Sequence, residues 1–404
     1  MDLVIAGARI FDGSVGTLAF GDVLVRDGRI EAVSGRALAV DGALRIDAGN
    51  RVLMPGLIDA HVHAYATHAN LKALERIPRS LLALQAKPLL EAMLRRGFTT
   101  VRDAGGADAG LARAVDDGLI DGPRIFFSGR ALTQTGGHGD TRPADEPCAC
   151  DSGVLAQVVD GADAVRATAR EELRRGAHQI KIFVSGGVAS PTDPIWMRQF
   201  SDAEVVAAVD EAASRRSYVM AHAYTAESIS RAVALGVRSI EHGNLIDAEA
   251  AREVAARGAF VDPTLATYEA LALHGGDGLS SAMRAKLAQV EGAGISAVAL
   301  CHDAGVQLGF GTDLLGTMQQ YQSREFALRA RAQVPLDVLR SATSINARLL
   351  QADGEIGTIA AGARADMLLV DGNPLEDLSL LERPDESLVL IVHGGRIVKN
   401  ALAA

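Results

Sequence analysis

The chain is 404 residues long, more than one small domain holds and enough for an α/β barrel of about 250 residues with a smaller unit beside it. Its 40 lysines and arginines against 50 aspartates and glutamates give a net charge of −10, so no basic field is available for phosphate backbones or acidic lipid, which argues against nucleic acid as a partner. Three cysteines make no disulfide framework, and Cys148 and Cys150 have no second pair with which to complete an all-thiolate zinc site.

The N-terminus, MDLVIAGARIFDG, has no basic leader and reads as a strand rather than a signal peptide. No apolar stretch reaches the length of about 18 residues that a membrane helix needs. A cytoplasmic protein with no membrane partner is expected. Next, DVLVRDGRIEAVSG and ALRIDAGNRVLMPG alternate β-branched runs with glycine turns, and Asp27-Gly28 marks a two-residue hairpin. The far end repeats the pattern in GARADMLLVDGNP and SLVLIVHGGRIVKN, with Gly394-Gly395 as a second hairpin turn. Neither end is long enough to bury a core comfortably alone. One β-sandwich domain assembled from residues 1–54 and 355–404 is the economical solution.

Between the ends, residues 55–354 alternate apolar runs with amphipathic Ala/Leu/Arg-rich stretches such as AVRATAREELRRGA and EVVAAVDEAASRR. The runs fall at 57–63, 99–105, 124–129, 179–186, 218–224, 239–243, 260–265 and 307–313. Strands alternating with helices imply parallel pairing, and eight such units imply a closed (β/α)8 barrel. A doubly wound open sheet is the alternative, disfavoured because no GxGxxG turn follows any run.

The chemistry-bearing residues cluster toward the C-terminal ends of these runs, the face on which barrels place active sites. His61 and His63 end the first run, and residues two apart on a strand share a face. Lys181 lies on the fourth, His222 on the fifth, His242 on the sixth, and Asp313 ends the eighth. Taken singly, each has an ordinary explanation: a hydrogen-bonded core histidine, an edge lysine, an N-capping aspartate. Six on five of eight strands argue for a shared metal site. Imidazole with carboxylate and no thiolate suits zinc, then iron, cobalt or manganese.

Here the residues resemble a known family. The motif MPGLIDAHVH, the lysine of the fourth strand, the single histidines of the fifth and sixth and the aspartate of the eighth look like the metal-dependent amidohydrolase superfamily. TGGHGDTRP (135–143), QIKIFVSGGVASPTDP (179–194), MAHAYT (220–225), RSIEHGNLID (238–247) and GFGTD (309–313) look like its branch of prolidase-like and Xaa-Arg/Lys-type dipeptidases. That branch also contains enzymes that hydrolyse N-acyl amino acids such as ochratoxin. The resemblance spans the whole chain.

It implies two divalent ions, zinc foremost, with His61, His63 and Asp313 on the buried ion and His222 and His242 on the exposed one. It also implies a carbamate on Lys181 that bridges them. A metal-activated hydroxide would attack the amide bond to a C-terminal amino acid of a dipeptide or N-acyl amino acid. Asp313 would carry the proton to the leaving amine. Tyr224 and His138 are placed to contact the oxyanion, and Arg142 to bind a substrate carboxylate. His68, His178, His274, His302 and His393 are read as lying outside the site, and Trp196 and Met197 as lid or packing residues.

Two other readings compete: hydrolysis of a cyclic amide, imidazolone or lactone on the same barrel, and an inactive binding or assembly protein. Relatives are commonly homo-oligomers, often octamers, and an oligomer is expected here too.

Overall fold

The computed structural model describes residues 2–143, 145, 153–275 and 279–402; Cys148 and Cys150 lie outside the described residues, and Cys301 is buried and free. Five strands open the chain: β1 (Leu3–Ile10), β2 (Ala19–Arg26), β3 (Arg29–Ser34), β4 (Leu44–Asp47) and β5 (Val52–Pro55). Then come β6 (Leu57–Val62), β7 (Phe98–Asp103), β8 (Arg124–Phe127), β9 (Ala131–Thr133), β10 (Ala156–Val158) and β11 (Ile180–Phe183). They are followed by β12 (Val219–Thr225), β13 (Ser239–Leu245), β14 (Phe260–Asp262) and β15 (Gln307–Leu308), and the chain closes with β16 (Met367–Val370), β17 (Leu388–His393) and β18 (Arg396–Asn400).

The strands of the two ends share one eight-stranded sheet, joined where β5 pairs antiparallel with β16 in the register Leu53↔Leu369. Alternate residues of its strands (Ile5, Val25, Leu53, Leu369, Leu390) meet in a single buried cluster, so the sheet folds its apolar face onto itself. Two turns mark where the ends of the sheet come together. Asp27-Gly28 and Gly394-Gly395 all have positive φ, as two-residue hairpin turns of this hand require. A Cβ on Gly395 would lie 2.8 Å from the Gly28 Cα, so the turns touch through backbone alone.

Eight strands form the barrel, each overlapping one of the eight apolar runs. β6, β7 and β8 pair in parallel, and so do β11 through β15. Two seams complete the ring. His178 N donates to the Phe127 carbonyl at 2.8 Å, tying β8 to the start of β11. Ala60 N donates to the Phe310 carbonyl at 2.8 Å, tying β6 to the chain just past β15. The Asn346 amide clips the second seam by donating to the Ile58 and Phe310 carbonyls at 2.7 and 2.8 Å. β9 and β10 are additional parallel strands that lean on β11.

The helix Asp202–Ser214 shows how local sequence sets the crossovers. Ser201 caps it and Glu204 returns the hydrogen bond, while Val205, Ala208 and Ala212 bury one face. Among the described residues no helix is long and apolar enough to cross a membrane.

Candidate active site

His61, within β6, and His63, one residue past it, both reach the carboxylate that follows β15. The Asp313 Oδ1 lies 3.2 Å from His63 Nε2 and 3.5 Å from His61 Nε2. Each ring is fixed from behind. His61 Nδ1 lies 2.7 Å from Glu241 Oε2, and His63 Nδ1 lies 2.9 Å from the Gly105 carbonyl. Both partners accept only, so each Nδ1 carries a proton and each Nε2 faces the shared space.

His242 and His222 complete the ring of imidazoles. Their centroids stand 4.7 Å apart, and His242 is 5.2 Å from His61. The Thr264 hydroxyl holds His242 Nδ1 at 2.7 Å. His242, Thr264 and Asp313 all adopt left-handed backbone conformations, with φ of 76°, 48° and 52°. Such strain in non-glycine residues persists only where surrounding contacts impose it, and here it falls within β13 and in the segments that follow β14 and β15. His61, His242 and Asp313 offer ligand atoms that all lie within 4.8 Å of one another. That donor set fits a divalent metal. A second cluster, His61 with Glu241 and Asp262, already contains a cation: the Arg102 guanidinium lies 3.0 Å from Glu241 and 3.7 Å from Asp262.

The electrostatics match the donor chemistry. Burial pushes His242 down to about 3 and lowers His61 and His222 as well, so these imidazoles are neutral at pH 7, the form that ligates metal. Burial acts against ionisation of Asp313, but the neighbouring His61 and His63 outweigh it and hold the carboxyl well below the usual range. Lys181 is buried on β11 with its Nζ 5.6 Å from the Phe183 ring, and burial lowers it to about 8.

A cleft opens over these groups. Lys181 is the one lysine or arginine on its wall among the described residues, and Leu71, Val154, Leu155, Val188, Leu271 and Leu315 make much of the wall apolar. Tyr224 and His138 both line it. Tyr224 lies on β12, near its C-terminal end. His138, which follows β9, stacks on His222 at 4.3 Å between ring centroids.

Arg142 is placed differently from the expectation. Its guanidinium grips Asp140 with Nε and Nη2 at 2.7 and 2.6 Å, and it is not among the residues lining the cleft. A two-pronged pairing with a near neighbour in the same loop is the local alternative to a substrate carboxylate.

The other histidines stay outside. His178 accepts the Phe127 amide, His274 stacks on Tyr321, and His302 lies 3.1 Å from Asp337 at the surface. Trp196 is 76% exposed.

Sequence reasoning missed Glu241 and Tyr268. Glu241 sits next to His242 on β13, is fully buried, and meets His61 Nδ1 from the other side of that ring. Tyr268 lies in the first turn of the helix Leu265–His274 after β14 and donates its hydroxyl to that of Tyr224 at 2.9 Å. The signal available for the first was a charged residue inside a buried apolar strand.

The chain belongs to the amidohydrolase family, whose model matches residues 52–398, and is thus a hydrolase acting on amide bonds. Among curated relatives, ochratoxinase of Aspergillus niger is 32% identical over 370 residues, covering 86% of this chain and 76% of that protein. Among solved structures, a prolidase complexed with N-methylphosphonate-L-proline is 48% identical with a TM-score of 0.96, covering 99% of this chain and 100% of that one. A Xaa-Pro dipeptidase with methionine bound in its active site is 29% identical with a TM-score of 0.88 over 99% of this chain and 100% of that one.

Proposed function

We propose that this amidohydrolase cleaves the amide bond to a C-terminal amino acid in dipeptides or N-acyl amino acids. The observation that carries the reading is the gathering of His61, His63, Lys181, His222, His242 and Asp313 at the floor of a largely apolar cleft that Tyr224 and His138 also line. Relatives named as prolidase, Xaa-Pro dipeptidase and ochratoxinase support it.

His61, His63 and Asp313 would hold one divalent ion and His222 and His242 a second, with a carbamate on Lys181 between them. Zinc fits these donors best. Bound there, the ions would supply hydroxide at neutral pH and polarise the scissile carbonyl. Carbamate formation needs a neutral amine, and the buried Lys181, lowered to about 8, supplies one far more readily than a solvated lysine does.

Asp313, kept ionised by its imidazole neighbours, accepts the proton that the attacking water loses and returns it to the leaving nitrogen. The Tyr224 hydroxyl already accepts the Tyr268 hydrogen, which leaves its own hydrogen to meet an oxyanion in the cleft. The apolar walls exclude water and suit an apolar acyl group or leaving side chain.

The test is amino-acid release, read by mass spectrometry, from a mixed library of dipeptides and N-acyl amino acids, with zinc-loaded and with chelated protein. Chelator-sensitive release of a restricted set of C-terminal residues is expected. No release by protein shown to hold metal would turn the assignment toward cyclic amides or lactones.

A further inference from the structure

Part of the cleft wall is held in place from outside the cleft. After β11 the chain leaves the barrel in a loop with a closed neck. Gly186 N donates to the Met197 carbonyl at 2.9 Å, Gln199 N donates to the Val184 carbonyl at 3.1 Å, and Ser185 and Arg198 form an antiparallel bridge. A Cβ on Gly186 would collide with the Pro194 carbonyl, so the neck closes only around glycine. Inside the loop the buried Asp193 accepts the Gly187 amide at 2.9 Å and the Gln199 side-chain amide at 3.1 Å through Oδ2. Val188 and Ala189 line the cleft, and Ser190 Oγ, beside them, lies 2.8 Å from His138 Nδ1.

The tip of this loop is gripped by a lysine from another part of the barrel. Lys286 lies on the helix Ser281–Val290 and is buried there with Leu287 and Val290. A lysine is seldom buried unless its ammonium is fully engaged. Here Nζ donates to the Ser190 carbonyl at 2.7 Å, the Asp193 carbonyl at 3.1 Å and Ser190 Oγ at 3.4 Å, and it stands 3.8 Å from Asp193 Oδ1. The three hydrogens of the ammonium thus have three acceptors, all in the one loop.

The helix that carries Lys286 packs against the helix Leu265–His274, which supplies Thr267, Tyr268 and Leu271 to the cleft. Lys286 therefore ties two parts of the cleft wall together, although it is not itself among the residues lining the cleft. Loss of its ammonium would leave two carbonyls without their donor, and the residues nearest to them in the chain are Val188 and Ala189.

We propose that Lys286 is a positioning residue that sets the size limit of the cleft for an apolar substrate side chain, by pinning Val188 and Ala189 in the wall. The substrate part of this inference rests on the hydrolase reading; the pinning of the loop does not. An apolar pocket discriminates by about 10- to 200-fold per methylene, and it does so only while its walls cannot give way.

Lys286→Met keeps an apolar stem of similar length and removes the donors. Dipeptides and N-acyl amino acids graded in side chain from alanine to phenylalanine, on each side of the scissile bond in turn, measure selectivity as the ratio of kcat/KM for bulky to small substrates. On one side of the bond Lys286→Met is expected to raise that ratio about 10-fold with metal content unchanged. Val188→Ala should raise the ratio on the same side. The double variant should gain less than the product of the two, because both act on one wall. Hydrogen exchange read by mass spectrometry should quicken over residues 186–199 of Lys286→Met and stay unchanged in the barrel strands. An unchanged ratio in folded Lys286→Met, or a double variant that multiplies the two effects, overturns the proposal. Should Lys286→Met not fold, Lys286→Arg serves: its larger head displaces the two carbonyls and should shift the ratio, and an unchanged ratio overturns the proposal too. Absence of any amino-acid release by the wild type would remove the hydrolase reading, while unchanged exchange in the loop would overturn the pinning by itself.

Discussion

The hydroxyl of Tyr268 donates to the hydroxyl of Tyr224 across 2.9 Å, although the two rings come from different βα units. Burial pushes both phenols above their ordinary value, so both stay protonated donors across the working pH range. Tyr224→Phe removes the hydrogen aimed into the cleft and should lower kcat by about 100- to 1,000-fold. Tyr268→Phe leaves that hydrogen in place and removes only its polarising partner, so a smaller loss is expected. Steady-state kinetics of both variants and of the double variant measure the coupling. Equal losses in the two single variants would contradict the assigned order.

Asp313 stands 3.2 Å from His63 Nε2 and 3.5 Å from His61 Nε2, at the point where three donors converge. Asp313→Asn removes both a ligand charge and the proton acceptor. Metal content, read by elemental analysis, should drop and turnover should almost vanish. A variant that keeps its metal and its full rate would show that Asp313 has neither role.

Glu241 carries a structural burden that its place beside a metal ligand hides. It receives His61 Nδ1 at 2.7 Å, Arg102 Nη2 at 3.0 Å and Ser239 Oγ at 2.6 Å, with no solvent contact. Glu241→Ala leaves the Arg102 cation buried beside Asp262 alone, and loss of one partner of a buried pair costs about 3–5 kcal/mol. Chemical denaturation should report a loss of that order. A variant with wild-type stability would mean that Asp262 alone balances Arg102.

Lys181 gives the clearest pH dependence. Its folded value is lowered from 10.5 to about 8, so the neutral amine grows as pH rises through 8 and changes little above about pH 9. At pH 7 about a tenth is neutral, against on the order of a few parts in ten thousand for an unperturbed lysine. Recovery of metal binding by stripped protein in bicarbonate and zinc should therefore accelerate from about pH 6 to about pH 9 and then level off. Lys181→Met should bind fewer ions per chain and show no dependence on bicarbonate. Recovery indifferent to bicarbonate in the wild type would rule out the carbamate.

Much of the architecture was legible from local pattern. Each of the eight apolar runs overlaps one barrel strand, because burial in a barrel demands short β-branched stretches between amphipathic helices. The turns at Asp27-Gly28 and Gly394-Gly395 were legible for the same reason: positive φ at both central residues selects few sequences. The two ends were expected to share one domain, and the pairing of β5 with β16 shows that their strands share one sheet.

The sequence by itself determined which groups could bind metal, because ligand chemistry is a property of residue type and strand position sets which way each side chain points. Tertiary structure alone decided what each of those groups leans on. Glu241 is 180 positions from His61, Tyr268 is 44 from Tyr224 and Ser190 is 52 from His138. Arg142 shows the converse, since a carboxylate two residues away occupies the guanidinium that looked suited to a substrate. Such partnerships depend on barrel register and loop path, to ångström precision, and no local pattern in the chain encodes them.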